Sequence, residues 1–405
     1  MSAANKGLLS KIQEYSIPLI AGVFAAVIAA NVDYEWYHHF VDGVWFEGFS
    51  LLGHDITLHF VSNDLFMVLF FGIAAKEITD AVLPGGSLNP PSKAINPLLG
   101  TLGGVLGPVG VFFLMVHLLY GGADNFAAVA NGWGVPTATD IALAWLVARL
   151  VFGARHPAVN FLLLLAVADD AIGLGIIAVF YPDPAHPVAP MALLWTLGGM
   201  GVALGMRLAK LRSWVPYIVV GGGLSWFGLI TAHLHPALAL VFIVPFLPAD
   251  RPQMGLTAEE EDPGATHVGG HTPLEDFEHF FKTFVDWGLF AFAFANAGVE
   301  FANMGPLTWI ILASLIAGKT IGIFFFSWLG TKLGFSLPEG MCNKTLMLAG
   351  LVAGLGLTVA LFVAGVAYPE AALQGEAKMG ALFSGSVFVL AIVLGKLLRV
   401  QKIEE

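Results

Sequence analysis

Asp169 and Asp170 stand side by side inside the run from Pro157 to Tyr181. Phe161-Leu162-Leu163-Leu164-Leu165 precedes them and Ile176-Ile177-Ala178-Val179-Phe180 follows. A bilayer crossing takes about 20 apolar residues, so the run is long enough to span one. Each carboxylate near its middle costs about 2.5–3.5 kcal/mol on insertion scales. The chemistry that would retain two of them is an ion site, a proton relay or an acid–base pair; the plain alternative is a polar contact between helices. More polar groups lie at similar depth: Asp64 after Asn63, Asp140 after Thr137-Ala138-Thr139, Lys319 within Ala317-Gly318-Lys319-Thr320, and Thr358 beside Gly354-Leu355-Gly356. A buried lysine needs an acid nearby. Lys319 therefore predicts that its helix meets the one carrying Asp169 or the one carrying Asp140.

The elements that must position these groups are membrane helices. Of 405 residues, 57% are hydrophobic and 12% charged, whereas soluble domains run at about 25% charged. The chain reads as an all-α integral membrane protein, one domain over 1–405, with lipid as its surroundings. The net charge of -11, with no basic patch to neutralise phosphates, argues against nucleic-acid binding. Cys342 is the single cysteine, which excludes an intrachain disulfide. Lys6 and Lys11 ahead of Ile17–Ala30 imitate a signal peptide, but the topology needs this stretch as an uncleaved first helix.

Twelve apolar segments can be marked, near 15–32, 56–80, 96–120, 137–152, 157–181, 190–208, 214–231, 234–248, 280–301, 306–330, 345–367 and 379–398. Helices satisfy every backbone hydrogen bond inside lipid. With a cytoplasmic N-terminus, 16 of the 18 Lys and Arg residues fall on the inside, Lys378 alone falls in an outside loop, and Lys319 lies within a span. That asymmetry predicts twelve spans with both termini in the cytoplasm.

The fourth and eleventh segments share a helix-breaking centre. Gly132-Trp133-Gly134-Val135-Pro136-Thr137 leads into Asp140, and Gly350, Gly354 and Gly356 interrupt the eleventh. They occupy corresponding places in segments 3–5 and 10–12. Interrupted helices in matching halves point to an inverted repeat with the substrate site at the crossing, a rule whose known examples include the family named below. At such a break an Asp offsets the positive half-helix ends and a Lys the negative ones.

Three loops stand out. The acidic first outside loop, 33–55, carries a short hairpin pairing Gly43-Val44-Trp45-Phe46 with residues near Ile56-Thr57-Leu58. Its aromatics suit either a second copy of the chain or an interfacial belt. Gly85 to Pro91 is a turn. The stretch 250–279 holds Glu259-Glu260-Glu261-Asp262, His267 and His271. It reads as a solvated linker, with a pH-responsive role open because histidine titrates near neutrality; its His spacing fits no tight zinc pattern.

Together these residues resemble the NhaA-type sodium/proton antiporters of bacteria over nearly the whole chain. The carriers are Gly132 to Ala142, Ala168-Asp169-Asp170, Phe292-Ala293-Phe294-Ala295-Asn296-Ala297-Gly298-Val299, Gly318-Lys319, Leu337-Pro338-Glu339-Gly340 and Gly354-Leu355-Gly356-Leu357-Thr358. The resemblance implies twelve helices, crossing interrupted helices 4 and 11, an inner-membrane location and electrogenic exchange of sodium or lithium for protons. It implies no resident cofactor. Asp170 looks like the main ligand of the transported sodium, and Asp169 like the accessory carboxylate that pairs with Lys319. Thr139 and Asp140 look like the fourth-helix contributors. Asp64 resembles the second-helix acid near a funnel, and His235 lies where the family has a histidine linked to pH response. The loop 33–55 resembles a hairpin that forms a homodimer. One departure concerns the second helix, where the family usually reads Gly-Leu-Glu-Val-Lys. This chain has Gly72-Ile73-Ala74-Ala75-Lys76-Glu77, so Glu77 or Asp80 would replace a missing acid.

The residues themselves supply a mechanism. Adjacent helical positions point about 100° apart, so one Asp can face a cavity while the other faces Lys319. Sodium wants oxygen ligands, and a carboxylate binds it only when deprotonated. Competition at one site then gives exchange if access alternates. A sodium-coupled symporter of an organic anion on a similar fold is the alternative. An intramembrane aspartyl protease would also use two membrane acids, but its Gly-x-Gly-Asp signature is absent.

Overall fold

The computed structural model describes residues 16–89, 91–182, 186–249 and 272–403. Lys6, Lys11, Arg251, the acidic run 259–262, His267 and His271 lie outside the described residues, whereas the apolar part of the stretch that imitates a signal peptide, Ile17–Ala30, is described and helical.

The described chain is helical apart from one two-residue hairpin. Its elements are α1 (Ile17–Val32), α2 (Tyr34–Asp42), β1 (Ser50–Leu51), β2 (His54–Asp55), α3 (Leu58–Val82), α4 (Pro91–Tyr120), α5 (Phe126–Thr137), α6 (Ile141–Phe152), α7 (Pro157–Phe180) and α8 (Pro190–Leu208). Then come α9 (Tyr217–Thr231), α10 (Pro236–Phe246), α11 (Pro273–Asn296), α12 (Pro306–Lys332), α13 (Asn343–Val352), α14 (Thr358–Ala367) and α15 (Ala371–Leu397). Six of these, α3, α4, α7, α8, α12 and α15, are long and apolar enough to cross a membrane, and the bent pair α5–α6 makes a seventh.

Several boundaries differ from those read in the sequence. The fourth segment begins earlier, at Phe126, and its extended break, at 138–140, follows the glycine run, which forms 3-10 turns with a kink at Gly132. The eighth segment is two 3-10 helices, Pro236–Phe242 and Val244–Phe246, and Pro245 in the second has no amide proton to extend an α-helical ladder. Within the stretch taken as a loop to 279, residues from Pro273 onward are already helix. Thr272 and Glu275 form a capping box there, and Pro273 sits at the first helical position. Lys378 is not in an outside loop. It lies buried inside α15, whose first half carries enough polar residues (Gln374, Glu376, Lys378) to hide a helix from an apolar scan. The hairpin is displaced: Ser50 pairs with Asp55 and Leu51 with His54, and the expected pairing survives only as the Trp45 N–H donating to the Ile56 carbonyl at 2.9 Å. Leu52 and Gly53 both have positive φ, as a two-residue turn of this hand requires. The helix α2 fills a part of the loop that the sequence left unassigned.

Two ends of the molecule can be distinguished. At the basic end the Arg155 N–H donates to the Ile403 carbonyl, Pro157 packs on Gly340, and Lys76 pairs with Glu278. At the hairpin end His54, His59, His233, His235 and Pro369 line a common cavity.

Helices α4 and α12 set the backbone of the site by close approach. A Cβ on Gly103 would lie 2.1 Å from the Gly322 carbonyl oxygen, and one on Gly322 would lie 2.0 Å from that of Gly103. Gly107 meets Gly318 in the same way. Small residues let membrane helices pack backbone to backbone. Here they press the turn carrying Lys319 into the centre of the molecule.

Candidate functional site

The two interruptions lie against each other. Between α5 and α6 the chain is extended over Ala138-Thr139-Asp140, and the two helices are bent by 52°. Between α13 and α14 it is non-helical through Leu355-Gly356-Leu357. The Asp140 N–H donates to the Leu355 carbonyl at 2.7 Å, and the Thr139 hydroxyl donates to the Ala353 carbonyl at 3.0 Å. The Gly356 N–H donates to Ser384 Oγ, and a Cβ there would come within 2.8 Å of the Ala138 carbonyl oxygen. A Cβ on Gly354 would likewise lie 2.7 Å from the Leu315 carbonyl oxygen. Larger residues at Gly354 and Gly356 would push the breaks apart.

Asp140 serves both half-helices that begin here. Its Oδ1 accepts the Leu143 N–H of α6 at 3.1 Å. Its Oδ2 accepts the Thr358 N–H at 3.2 Å and the Thr358 hydroxyl at 2.9 Å, at the start of α14. One carboxylate therefore faces two partly positive helix ends, as the sequence pattern anticipates for an Asp at such a break.

Lys319 behaves differently from that pattern. Its ammonium turns to side chains instead of helix-end carbonyls. Nζ donates to Asp169 Oδ2 and to Thr139 Oγ1, both at 2.6 Å, and neither Lys319 nor Asp169 has any exposed side-chain surface. The tenth segment thus meets both the fifth and the fourth. Asp169 Oδ1 is buried and without a hydrogen-bond partner among the described residues.

Asp170 is only half-buried. Its carboxylate makes no hydrogen bond or ion pair among the described residues. The charges it senses are those of Asp169, Glu77, Asp140 and Lys319. Of the two candidates for the missing second-helix acid, Asp80 is engaged by Lys76 at 2.7 Å, whereas Glu77 lies in electrostatic reach of Asp170.

Asp64 and His235 stand apart from this centre. They pair at 3.9 Å and line the hairpin-end cavity of about 240 Å³. The π-turn Val61–Phe66 re-aims the helix there, and Trp226 Nε1 donates to the freed Asp64 carbonyl. Among the described residues no cluster of three or more His, Cys, Asp or Glu side chains is placed to hold a metal ion. The centre instead offers a few hard oxygens, of which the Asp170 carboxylate and Asp169 Oδ1 have no hydrogen-bond partner among the described residues.

A crossing of two interrupted helices, capped by one Asp and closed by a buried Lys–Asp pair, is the geometry that the sequence resemblance implies. A family model described as "Na+/H+ antiporter 1" matches residues 7–398. The chain belongs to the NhaA Na+/H+ antiporter family. It is 58% identical over 397 residues to the Na(+)/H(+) antiporter NhaA of Geobacter sulfurreducens, covering 98% of this chain and 99% of that one. It is 55% identical over 404 residues to that of Desulfitobacterium hafniense, covering 100% and 99%. Against the antiporter of Jannaschia the figure is 45% over 427 residues. The protein is therefore a bacterial multi-pass membrane antiporter exchanging sodium and protons. It is a transporter and not an enzyme, which removes the protease reading, and exchange rather than symport is its activity. In this antiporter the sequence left unnoticed Tyr181 and Tyr368, which bind the backbone of α5, and Asn131 of α5, which donates to the Ala367 carbonyl of α14. Aromatic residues at the ends of apolar segments read as interfacial anchors, so nothing in their spacing marked them.

Proposed function

We propose that exchange runs by competition at Asp170, with Lys319 as an internal stand-in for the cation. The observation that carries this is the Lys319 ammonium seated between Asp169 and Thr139. It holds the hard oxygens that a sodium ion would seek next to Asp170. Sodium arriving at a deprotonated Asp170 would draw on the same oxygens and loosen the lysine. Protons arriving at Asp170 would release sodium and let the lysine return. Burial and a neighbouring like charge favour a protonated carboxylate in general, and a nearby lysine favours an ionised one. Asp140, with both oxygens bound to half-helix starts, would hold the crossing together while the cation changes. Glu77 would feed the site from the basic end, and the Asp64–His235 cavity would serve the other.

The full reading has twelve spans: α1, α3, α4, α5–α6, α7 to α12, α13–α14 and α15. Support comes from the family and from the alternation of Lys and Arg along the sequence. That end, with both termini, would face the cytoplasm of the inner membrane. Moving more than one proton per sodium would make exchange electrogenic, and lithium would pass by the same oxygens. Trp36, Phe40, Trp45 and Phe46 are each about half exposed on the hairpin face, which supports a homodimer formed through 33–55.

The test is proton movement in everted vesicles with a pH-sensitive dye. Asp170→Asn is expected to abolish sodium-driven alkalinisation of the lumen. A wild-type rate in that variant would remove Asp170 from the mechanism.

A further inference from the structure

The hairpin-side half of the fourth span is held by two phenols. Tyr181 ends α7 and is 3% exposed; Tyr368 ends α14 and is 1% exposed. Tyr181 Oη accepts the Gly134 N–H and donates to the Asn131 carbonyl, both at 2.8 Å. Those two groups are the ends of one 3-10 turn, so a single hydroxyl engages the turn at both its ends. Tyr368 Oη donates to the Val129 carbonyl at 2.7 Å, and Asn131 Nδ2 returns a bond to the Ala367 carbonyl at 2.7 Å. The rings fit because Gly132 and Gly134 have no side chain. A Cβ on Gly132 would lie 2.0 Å from Tyr368 Oη, and one on Gly134 would lie 2.7 Å from the Tyr181 ring. Four bonds and two glycine slots thus fasten α5 to the ends of α7 and α14.

Tyr181 also lines the cavity that holds Asp64 and His235. The lining of that cavity includes neither Asp140 nor the Asp169–Asp170 pair. Tyr181 thus joins the wall of that cavity to the turn of α5 that leads into the break. Alternating access needs the site to meet each face in turn, and α5 is the element that runs from this cavity wall toward Asp140.

We propose that Tyr181 and Tyr368 are positioning residues that latch α5 onto α7 and α14. With the latch made, access from the hairpin face to Asp140 is closed, and opening toward that face breaks the phenol bonds. The assignment of this face as the outer one rests on the orientation proposed above.

The test replaces only the hydroxyls, with Tyr181→Phe, Tyr368→Phe and both together in Cys342→Ser protein. Val135→Cys reports opening, because Val135 is 0% exposed beside Gly134, and Ala26→Cys, equally buried in α1, reports general loosening. Labelling by a charged methanethiosulfonate in detergent is read first, where both faces are open to reagent. One hydrogen bond corresponds to roughly a fivefold change in an opening equilibrium. The Val135→Cys rate is expected to rise about fivefold for Tyr368→Phe, which loses one bond, and up to about 25-fold for Tyr181→Phe, which loses two, with Ala26→Cys unchanged. The half-saturating sodium concentration should shift with it, whereas a merely structural contact would lower only the maximal rate. An unchanged rate at Val135→Cys, or an equal rise at Ala26→Cys, would overturn the latch. Labelling of the unmodified Cys342 in intact cells and everted vesicles reads the orientation separately, so failure of one reading is not mistaken for failure of the other.

Discussion

Lys319 donates to Asp169 across 2.6 Å with neither side chain exposed to any solvent. The two residues come from helices 150 positions apart in the chain. The same ammonium reaches Thr139 in the break of a third helix. One cation of the protein's own thus ties together the parts that a transported cation would have to enter.

Removing that ammonium leaves a buried carboxylate alone. Breaking a buried pair by deleting one partner typically costs about 3–5 kcal/mol. Lys319→Ala is therefore expected to lower the thermal midpoint of the purified protein clearly. Adding Asp169→Asn should recover part of the loss, because the orphaned charge goes too. Thermal-shift measurement in detergent checks both, and a double variant no more stable than Lys319→Ala would show that the pair is not the source.

Asp140 caps two helices with one side chain. Loss of a helix cap costs about 1 kcal/mol in ordinary cases. Asp140→Ala removes the acceptor from both half-helix starts, so its loss should exceed that of a single cap. Asp140→Asn keeps one acceptor oxygen and should fall between. Midpoints in the order wild type, Asp140→Asn, Asp140→Ala would be the expected outcome; equal midpoints would mean that the break is held by its backbone bonds alone.

Much of this centre was legible in the sequence, and the reasons are specific. Charged residues are so costly in lipid that Asp169, Asp170, Asp140 and Lys319 mark themselves, and the need for compensation already joins Lys319 to the fourth or fifth segment. The position of the break was less clear. The glycine-rich run Gly132 to Gly134 looks like the interruption, yet it forms 3-10 turns, and the extended residues are Ala138 to Asp140. Glycines there serve the approach of Tyr181 and Tyr368, which is a tertiary fact with no local signal. The buried Lys378 was misplaced for a related reason: a scan for apolar runs reads polar residues as loop, even where they face the interior of a helix.

Cys342 offers a direct probe of orientation. It is exposed, at the start of α13 on the basic end. Hydrogen bonds, first from the Thr345 backbone N–H, hold its thiol below the ordinary value, against the opposing effect of burial. A lowered value means more thiolate near neutrality. Maleimide labelling should therefore reach its plateau at a lower pH than for a free cysteine, whose thiol titrates near about 8.5. Labelling should proceed in everted vesicles and not in intact cells treated with an impermeant reagent. The reverse sidedness would place the basic end outside.

The competition at Asp170 is tested most directly by the sodium dependence of exchange at a series of pH values. Proton and sodium share one carboxylate in this account, and linkage makes their effects reciprocal. The half-saturating sodium concentration should fall as pH rises, by up to about tenfold per pH unit for each competing proton. The rate at saturating sodium should stay nearly level across that range. A half-saturating concentration that does not move with pH, while the maximal rate does, would contradict a shared site and place the pH dependence elsewhere in the protein.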